Sequence, residues 1–246
     1  HRVWARGPED KQTVTLVLSL FPGIGLLDMA FEEEGFCVVR GPDLLWGGDI
    51  GRFHPPAGKF DGVIGGPPCQ AWARTRNYGS GHPVNLVPEF VRIIEECRPA
   101  WWLMENVPGA PEPVPPGFLV QRRELVDVWC GGETKRRRVF WFGSIGQTGF
   151  HPRLVPLHSP QPKPTVIAGG SSLQKDGSKY RGGKNYGAKT TWAFERGKLD
   201  QGLPEAFDLP PFTVLAKVAA IGNGVPLAMG RAVAKAVKRA INGKDR

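Results

Sequence analysis

Between residues 14 and 142, short apolar runs rich in β-branched residues alternate with amphipathic segments. The runs predict strands at 14–20, 37–40, 61–65, 101–104, 125–129 and 139–142. Residues 26–34 and 87–96 carry apolar side chains at helical spacing, which predicts two amphipathic helices. Strands that alternate with helices are typical of a mainly parallel sheet covered on both faces, so the pattern predicts an α/β fold.

The pattern changes after Gly143 and stays different to about Pro211. Prolines crowd 152–164, a polar run follows, and no alternation of strands and helices is predicted there. Between 171 and 198 basic residues outnumber acids and are interleaved with aromatic residues. Such a segment is typical of a phosphate-contacting loop, but a solvated loop without a partner fits it equally well. From Pro226 a helix with one broad apolar face is predicted.

Net charge and cysteine spacing favour some classes of function and disfavour others. The chain has 32 Lys and Arg against 23 Asp and Glu, a net charge of +9, which favours an anionic polymer as partner. The four cysteines form no CxxC pair, so no metal site is expected. No apolar run is long enough to cross a bilayer, and no signal peptide is apparent at the start. We therefore expect a cytoplasmic protein with reduced thiols and no membrane partner.

The segment from Val63 to Cys69 is the clearest candidate for chemistry. An apolar strand end leads into two glycines, which permit a tight backbone path, and then into two prolines, which fix φ. This rigid turn predicts that the Cys69 thiol is accessible and held in one orientation. The other cysteines, Cys37, Cys97 and Cys130, lie within apolar patterns and are best explained by packing.

Five separated motifs occur in order along the chain. They are Phe21-Pro22-Gly23-Ile24-Gly25, Gly65-Gly66-Pro67-Pro68-Cys69, Met104-Glu105-Asn106-Val107, Thr134-Lys135-Arg136-Arg137-Arg138 and Gly222-Asn223-Gly224-Val225-Pro226. In this order and type they resemble the cytosine carbon-5 DNA methyltransferases, which use S-adenosylmethionine. The resemblance implies a doubly wound fold with the active site beyond the carboxyl ends of the strands.

The resemblance also implies a cofactor site in which Asp43 accepts the ribose hydroxyls, Asp49 takes the exocyclic amine of adenine and Ile50 lies against its ring. A nicotinamide oxidoreductase is disfavoured, because Asp28 stands where the third glycine of Gly-x-Gly-x-x-Gly belongs. The cofactor-binding residues implied are Phe21, Gly23, Ile24, Gly25, Asp43, Asp49, Ile50, Pro67, Leu86, Asn223 and Val225.

Three positions depart from the family pattern. Ser19 stands where an acid commonly precedes Leu-Phe, Leu44 where an aromatic residue often follows the ribose acid, and Thr134 where the family has glutamine. We expect the first two departures to weaken cofactor affinity and the third to remove one polar contact.

Carbon 5 of cytosine is too electron-poor to attack a methyl donor unaided. Attack by the Cys69 thiolate on carbon 6 would create a transient enamine that accepts the methyl group. A protonated Glu105 would stabilise the electron density that builds up on the base. By resemblance, Arg136 and Arg138, which alternate at a strand beginning, hold the cytosine carbonyl, Glu105 and the nearby phosphate.

A stacked base cannot reach such a site, so the target cytosine must be flipped out of the duplex. The DNA-binding residues predicted are Gln70, Trp72, Arg74 and Arg76, in a loop that would close over the flipped base, and Arg181, Lys184, Lys189 and Arg196, in the polar segment. The resemblance implies a catalytic cofactor-binding domain at 1–143, a small target-recognition lobe at 144–211 and a returning segment at 212–246. We predict a monomer that acts on double-stranded DNA in the cytoplasm, associated with the nucleoid. A tRNA cytosine-5 methyltransferase and a non-catalytic nucleic-acid-binding member of the fold remain alternatives.

Overall fold

A computed structural model of the chain describes residues 14–68, 85–146, 149–156, 162–167 and 191–243. Its sheet has six strands in the order β2-β1-β3-β4-β6-β5. The strands are β1 Leu16–Leu20, β2 Cys37–Arg40, β3 Gly62–Gly65, β4 Trp101–Asn106, β5 Leu119–Val126 and β6 Arg137–Ser144. β1 to β4 run parallel, and β6 pairs antiparallel with both β4 and β5. The prediction of a mainly parallel sheet is therefore confirmed.

Helices cover both faces of this sheet. They are α1 Leu26–Glu33, α2 Val87–Cys97, α3 Thr191–Asp200, α4 Val214–Asn223 and α5 Leu227–Ile241. Side chains of β4 point alternately to the two faces. Trp101 and Leu103 pack with α1 and α5, whereas Trp102 and Met104 pack with α2. The doubly wound α/β fold is confirmed, and Pro226 directly precedes the last helix as predicted.

Two sequence predictions need correction. The fifth strand lies at Leu119–Val126, not at 125–129, because 127–130 form a single 3₁₀ turn. β5 lies at the edge of the sheet with charged and half-exposed side chains, so it has no apolar run to mark it. α3 lies in a segment where no helix was predicted. It buries Lys198 and Asp200 beside apolar residues, which hides its helical periodicity, and it packs on α4.

Gly143 permits the close packing of β6 on β4. It lies opposite Trp102 in the register, and a Cβ at this position would lie 2.2 Å from the fully buried indole ring. We expect Gly143→Ala to lower the free energy of unfolding by about 1–3 kcal/mol, the usual cost of overpacking a core. Urea denaturation measures this change. Gly146→Ala is the matched control, because a Cβ there meets no atom within 4 Å. Equal stability of both variants would contradict the prediction.

Candidate active site

A cavity of about 370 Å³ opens at the carboxyl ends of β1, β3 and β4. Its floor consists of the segments that follow these strands, and Ala216, Ala219 and Ala220 of α4 form the opposite wall. Nine residues of the predicted catalytic and cofactor-binding sets line it: Phe21, Gly23, Ile24, Asp43, Pro67, Glu105, Arg138, Asn223 and Val225. The fold thus brings together residues separated by as much as two hundred positions in the chain.

The turn after β1 exposes its backbone to the cavity. Phe21, Gly23 and Gly25 all have positive φ, and the Gly25 N–H donates to the Pro22 carbonyl at 2.8 Å. A Cβ on Gly23 would meet nothing within 4 Å, so this backbone faces open space that a ligand can approach. Gly25 has a φ of +79°, a left-handed conformation that side-chain-bearing residues rarely adopt, so glycine is favoured there.

Asp43 joins two of the segments that line the cavity. One carboxylate oxygen accepts a hydrogen bond from the Gly23 N–H at 2.8 Å, and the other accepts one from the Leu45 N–H at 2.7 Å. The carboxylate is therefore held against the glycine turn after β1 and the turn after β2 at once. An anionic group in this place suits a ligand with hydroxyl or ammonium donors.

Ser19 and Asp28 lie next to each other at the inner side of the cavity. The Ser19 hydroxyl donates to Asp28 at 2.5 Å, and Arg40 Nε lies 2.9 Å from the other carboxylate oxygen. Burial raises the pKa of Asp28. Position 19 lacks the acid of the family pattern, but α1 supplies the Asp28 carboxylate beside Ser19. This contact could not be predicted from the sequence, because it depends on how α1 packs on β1.

Glu105 and Arg138 form an ion pair in the cavity. Arg138 Nε lies 2.7 Å from a Glu105 carboxylate oxygen, and Glu105 is only 8% exposed. β4 and β6 are antiparallel neighbours, so the end of β4 meets the beginning of β6. The other oxygen of Glu105 lies close to the Gly66 backbone, since a Cβ at position 66 would be only 3.1 Å from it. The pair can therefore present a fixed carboxyl group and a guanidinium to one ligand.

The segment leading toward Cys69 is anchored to the same strand end. The side-chain amide of Asn106 donates to the Pro67 carbonyl at 3.0 Å, and both residues line the cavity. Asn106 is fully buried. Cys69 itself lies outside the described residues, as do Gln70, Trp72, Arg74, Arg76, Arg181, Lys184 and Lys189.

Six of the predicted site residues that the structure describes do not line the cavity: Gly25, Asp49, Ile50, Leu86, Arg136 and Arg196. The side chain of Asp49 is 56% exposed and accepts from the Gly51 N–H at 2.9 Å. Ile50 packs in the core on the α2 side, beside Leu86. Gly25 closes the turn before α1. Arg136 is buried elsewhere, with Nη1 donating to the Val166 carbonyl at 2.7 Å. The predicted DNA contact Arg196 lies on α3, where it pairs with Asp200 at 3.0 Å.

Trp46 is a residue that the sequence analysis missed. Its indole N–H donates to the Gly23 carbonyl at 2.7 Å, and its ring meets Phe212 edge-on at 5.2 Å. It lies three positions after Asp43, close to where the family pattern places an aromatic residue. That proximity is the signal by which it could have been found.

Cys97 and Cys130 are poor nucleophiles. Burial raises the pKa of Cys97 to about 11 and that of Cys130 to about 12, so both thiols are protonated near neutral pH. Cys37 is exposed on β2 and does not line the cavity. Within the described part of the chain, no cluster of His, Cys, Asp and Glu could hold a metal ion, and no helix is long and apolar enough to span a membrane.

The chain is similar in sequence and in fold to known methyltransferases. Residues 48–113 match the model of the C-5 cytosine-specific DNA methylase family. The type II methyltransferase M.FnuDI of Fusobacterium nucleatum is 34% identical over 38% of this chain and 32% of its own length. M.HgiGI of Herpetosiphon aurantiacus is 33% identical over 38% of this chain and 90% of its own length. The matched part spans about a third of M.FnuDI and M.NgoPII.

The solved methyltransferase EhMeth of Entamoeba histolytica is 10% identical but has the same fold, with a TM-score of 0.64 over 94% of this chain and 99% of that one.

Proposed function

The chain belongs to the family of C-5 cytosine-specific DNA methylases, and we propose that it transfers a methyl group from S-adenosylmethionine to carbon 5 of a flipped-out cytosine in double-stranded DNA. The observation that carries this proposal is the Glu105–Arg138 ion pair in the cavity that the glycine turn and Asp43 also line. Groups suited to polarise a base and groups suited to hold an adenosyl cofactor thus share one space.

The lining residues fit S-adenosylmethionine. The cavity is of the size that small cofactors fill, and Phe21, Ile24 and Val225 give it apolar walls. The exposed backbone at Gly23 suits the amino acid end, and the Asp43 carboxylate suits the ribose hydroxyls. When bound, the cofactor supplies an electrophilic methyl group.

In the proposed mechanism the Cys69 thiolate forms a bond to carbon 6 of the cytosine. The carboxyl of Glu105 supplies a proton or hydrogen bond to the base as electron density builds on the ring. With carbon 5 activated in this way, the bound cofactor would supply the methyl group and leave as S-adenosylhomocysteine. Loss of the carbon 5 proton to a base would then allow the bond from sulfur to carbon 6 to break, which restores the thiolate. Arg138 orients the Glu105 carboxyl and offers its remaining N–H donors to the cytosine carbonyl.

The remaining partner and location predictions follow from the same proposal. The net charge of +9 supports a nucleic acid as substrate. We propose that the protein acts as a monomer in the cytoplasm at the nucleoid. The roles of Gln70, Trp72, Arg74 and Arg76 as the loop that closes on the flipped base stay predictions, and so do those of Arg181, Lys184, Lys189 and Arg196 as contacts of a recognition lobe at 144–211.

Asp43→Asn is expected to weaken binding of S-adenosylhomocysteine by about tenfold, because the amide lacks the charge and one of the two acceptor oxygens. Isothermal titration calorimetry measures the dissociation constant. Asp61→Asn is the matched control, since this carboxylate accepts from the Leu16 N–H at the opposite end of the sheet. Parental affinity in Asp43→Asn would remove Asp43 from the cofactor site.

The decisive experiment incubates the protein with methyl-labelled S-adenosylmethionine and either double-stranded DNA or tRNA, followed by nucleoside analysis. We expect labelled 5-methylcytosine from DNA. Label in tRNA alone would contradict the proposal and indicate a tRNA cytosine-5 methyltransferase, which shares the catalytic motifs. Binding of DNA without any labelled product would favour a non-catalytic member of the fold.

A further inference from the structure

The C-terminal end of α4 forms part of the cavity wall. α4 ends at Asn223, and Gly224 and Val225 follow it along the cavity. The last carbonyls of a helix have no partner within the helix and need one elsewhere. Here Gln201 Nε2 donates to the Ile221 carbonyl at 2.7 Å and lies 3.3 Å from that of Gly224.

Arg136 reaches the same helix end from the other side. Its Nη2 donates to the Asn223 carbonyl at 3.4 Å, and its Nη1 donates to the Val166 carbonyl at 2.7 Å. The side chain is 1% exposed. A cation at the C-terminal end of a helix is favourable because the unpaired carbonyls carry partial negative charge. Burying a guanidinium is costly, however, unless its contacts are well made.

The segment that carries Arg136 is itself firmly held. Buried Asp127 accepts from the backbone N–H of Thr134 at 2.9 Å and from its hydroxyl at 2.7 Å. Lys135 N–H donates to the Lys163 carbonyl at 2.8 Å, which ties this segment to the stretch containing Val166. The Thr134 side chain, which replaces the family's glutamine, thus braces the turn before Arg136 instead of reaching into the cavity.

We propose that Arg136 is a positioning residue that holds the Asn223–Val225 wall of the cofactor site to the beginning of β6, and that Gln201 supports the same wall from the turn after α3. Two residues further along β6, Arg138 pairs with Glu105 in the cavity. Arg136 thus keeps the Asn223–Val225 wall at a fixed distance from Arg138 and Glu105, the pair proposed to face the base. This proposal rests on the proposed function, and it gives Arg136 a role different from contact with the cytosine.

The test compares Arg136→Met, Arg136→Lys, Gln201→Met and Arg138→Met. Binding of S-adenosylhomocysteine is measured by calorimetry, and kcat and the KM for S-adenosylmethionine are measured on DNA. We expect Arg136→Met and Gln201→Met to weaken binding and raise this KM by about tenfold, with kcat changed less than threefold. Arg136→Lys should recover part of the affinity. Arg138→Met should show the reverse, with lower kcat and parental binding.

Parental affinity in both Arg136→Met and Gln201→Met would overturn the positioning role, as would a loss confined to kcat in Arg136→Met. If Arg136→Met does not fold, Arg136→Lys and Gln201→Met decide by the same two readouts. A parent protein that binds S-adenosylhomocysteine but does not methylate DNA would overturn the proposed function while leaving the binding comparison intact. A parent that does not bind it would overturn both.

Discussion

Cys69→Ala is expected to reduce methyl transfer by a factor on the order of 10³ or more, because carbon 5 of cytosine is not nucleophilic until a thiolate has added to carbon 6. Affinity for S-adenosylhomocysteine should stay within about twofold, since the thiol serves the base and not the cofactor. The Asn106–Pro67 hydrogen bond holds Pro67, which precedes Cys69 by two residues in the sequence, in the cavity that Glu105 also lines. Filter-binding assays with labelled S-adenosylmethionine and DNA measure the rate.

Cys37→Ala is the matched control for this variant, because Cys37 is exposed and lies away from the cavity. It should keep the parental rate. The parent protein should also form a covalent adduct with DNA that contains 5-fluorocytosine, since fluorine cannot leave as a proton does, and Cys69→Ala should form none. A Cys69→Ala protein that methylates near the parental rate would remove the thiol from the mechanism.

Glu105→Gln is expected to slow methyl transfer at least about tenfold, a loss on the order of 1.4 kcal/mol or more of transition-state stabilisation. The amide keeps an oxygen beside Arg138, but it cannot supply a proton to the base and it loses the charge of the ion pair. Single-turnover rates on DNA separate this chemical step from cofactor binding, which should change little.

Glu112→Gln serves as the control, because Glu112 is exposed in the connection after β4 and does not line the cavity. Glu105→Gln should unfold at a lower urea concentration than Glu112→Gln, because it leaves the largely buried Arg138 guanidinium without its carboxylate partner, so the rates are compared without denaturant, where both variants are folded. A Glu105→Gln protein with the parental single-turnover rate would show that Glu105 only maintains structure at the end of β4.

The parallel strands of the sheet could be predicted from the local residue pattern alone. β1, β3 and β4 are buried, apolar and bounded by glycine, proline or polar residues, so local pattern and final structure agree. The same agreement explains why Glu105 and Asp43 could be placed at this edge of the sheet, since Glu105 directly follows one predicted strand and Asp43 lies three residues after another. Parallel strands bring their carboxyl ends to one edge of the sheet whatever lies between them.

The position of α3 and the different surroundings of Arg136 and Arg138 could not be predicted from the sequence, because they depend on contacts between distant segments. α3 carries no clear apolar stripe and owes its place to packing on α4. Arg136 and Arg138 are two residues apart, yet one is buried against Val166 and Asn223 while the other faces Glu105, since β6 begins only at Arg137. Local spacing determines the direction of a side chain within a strand, but the partner it meets depends on which distant segment packs there.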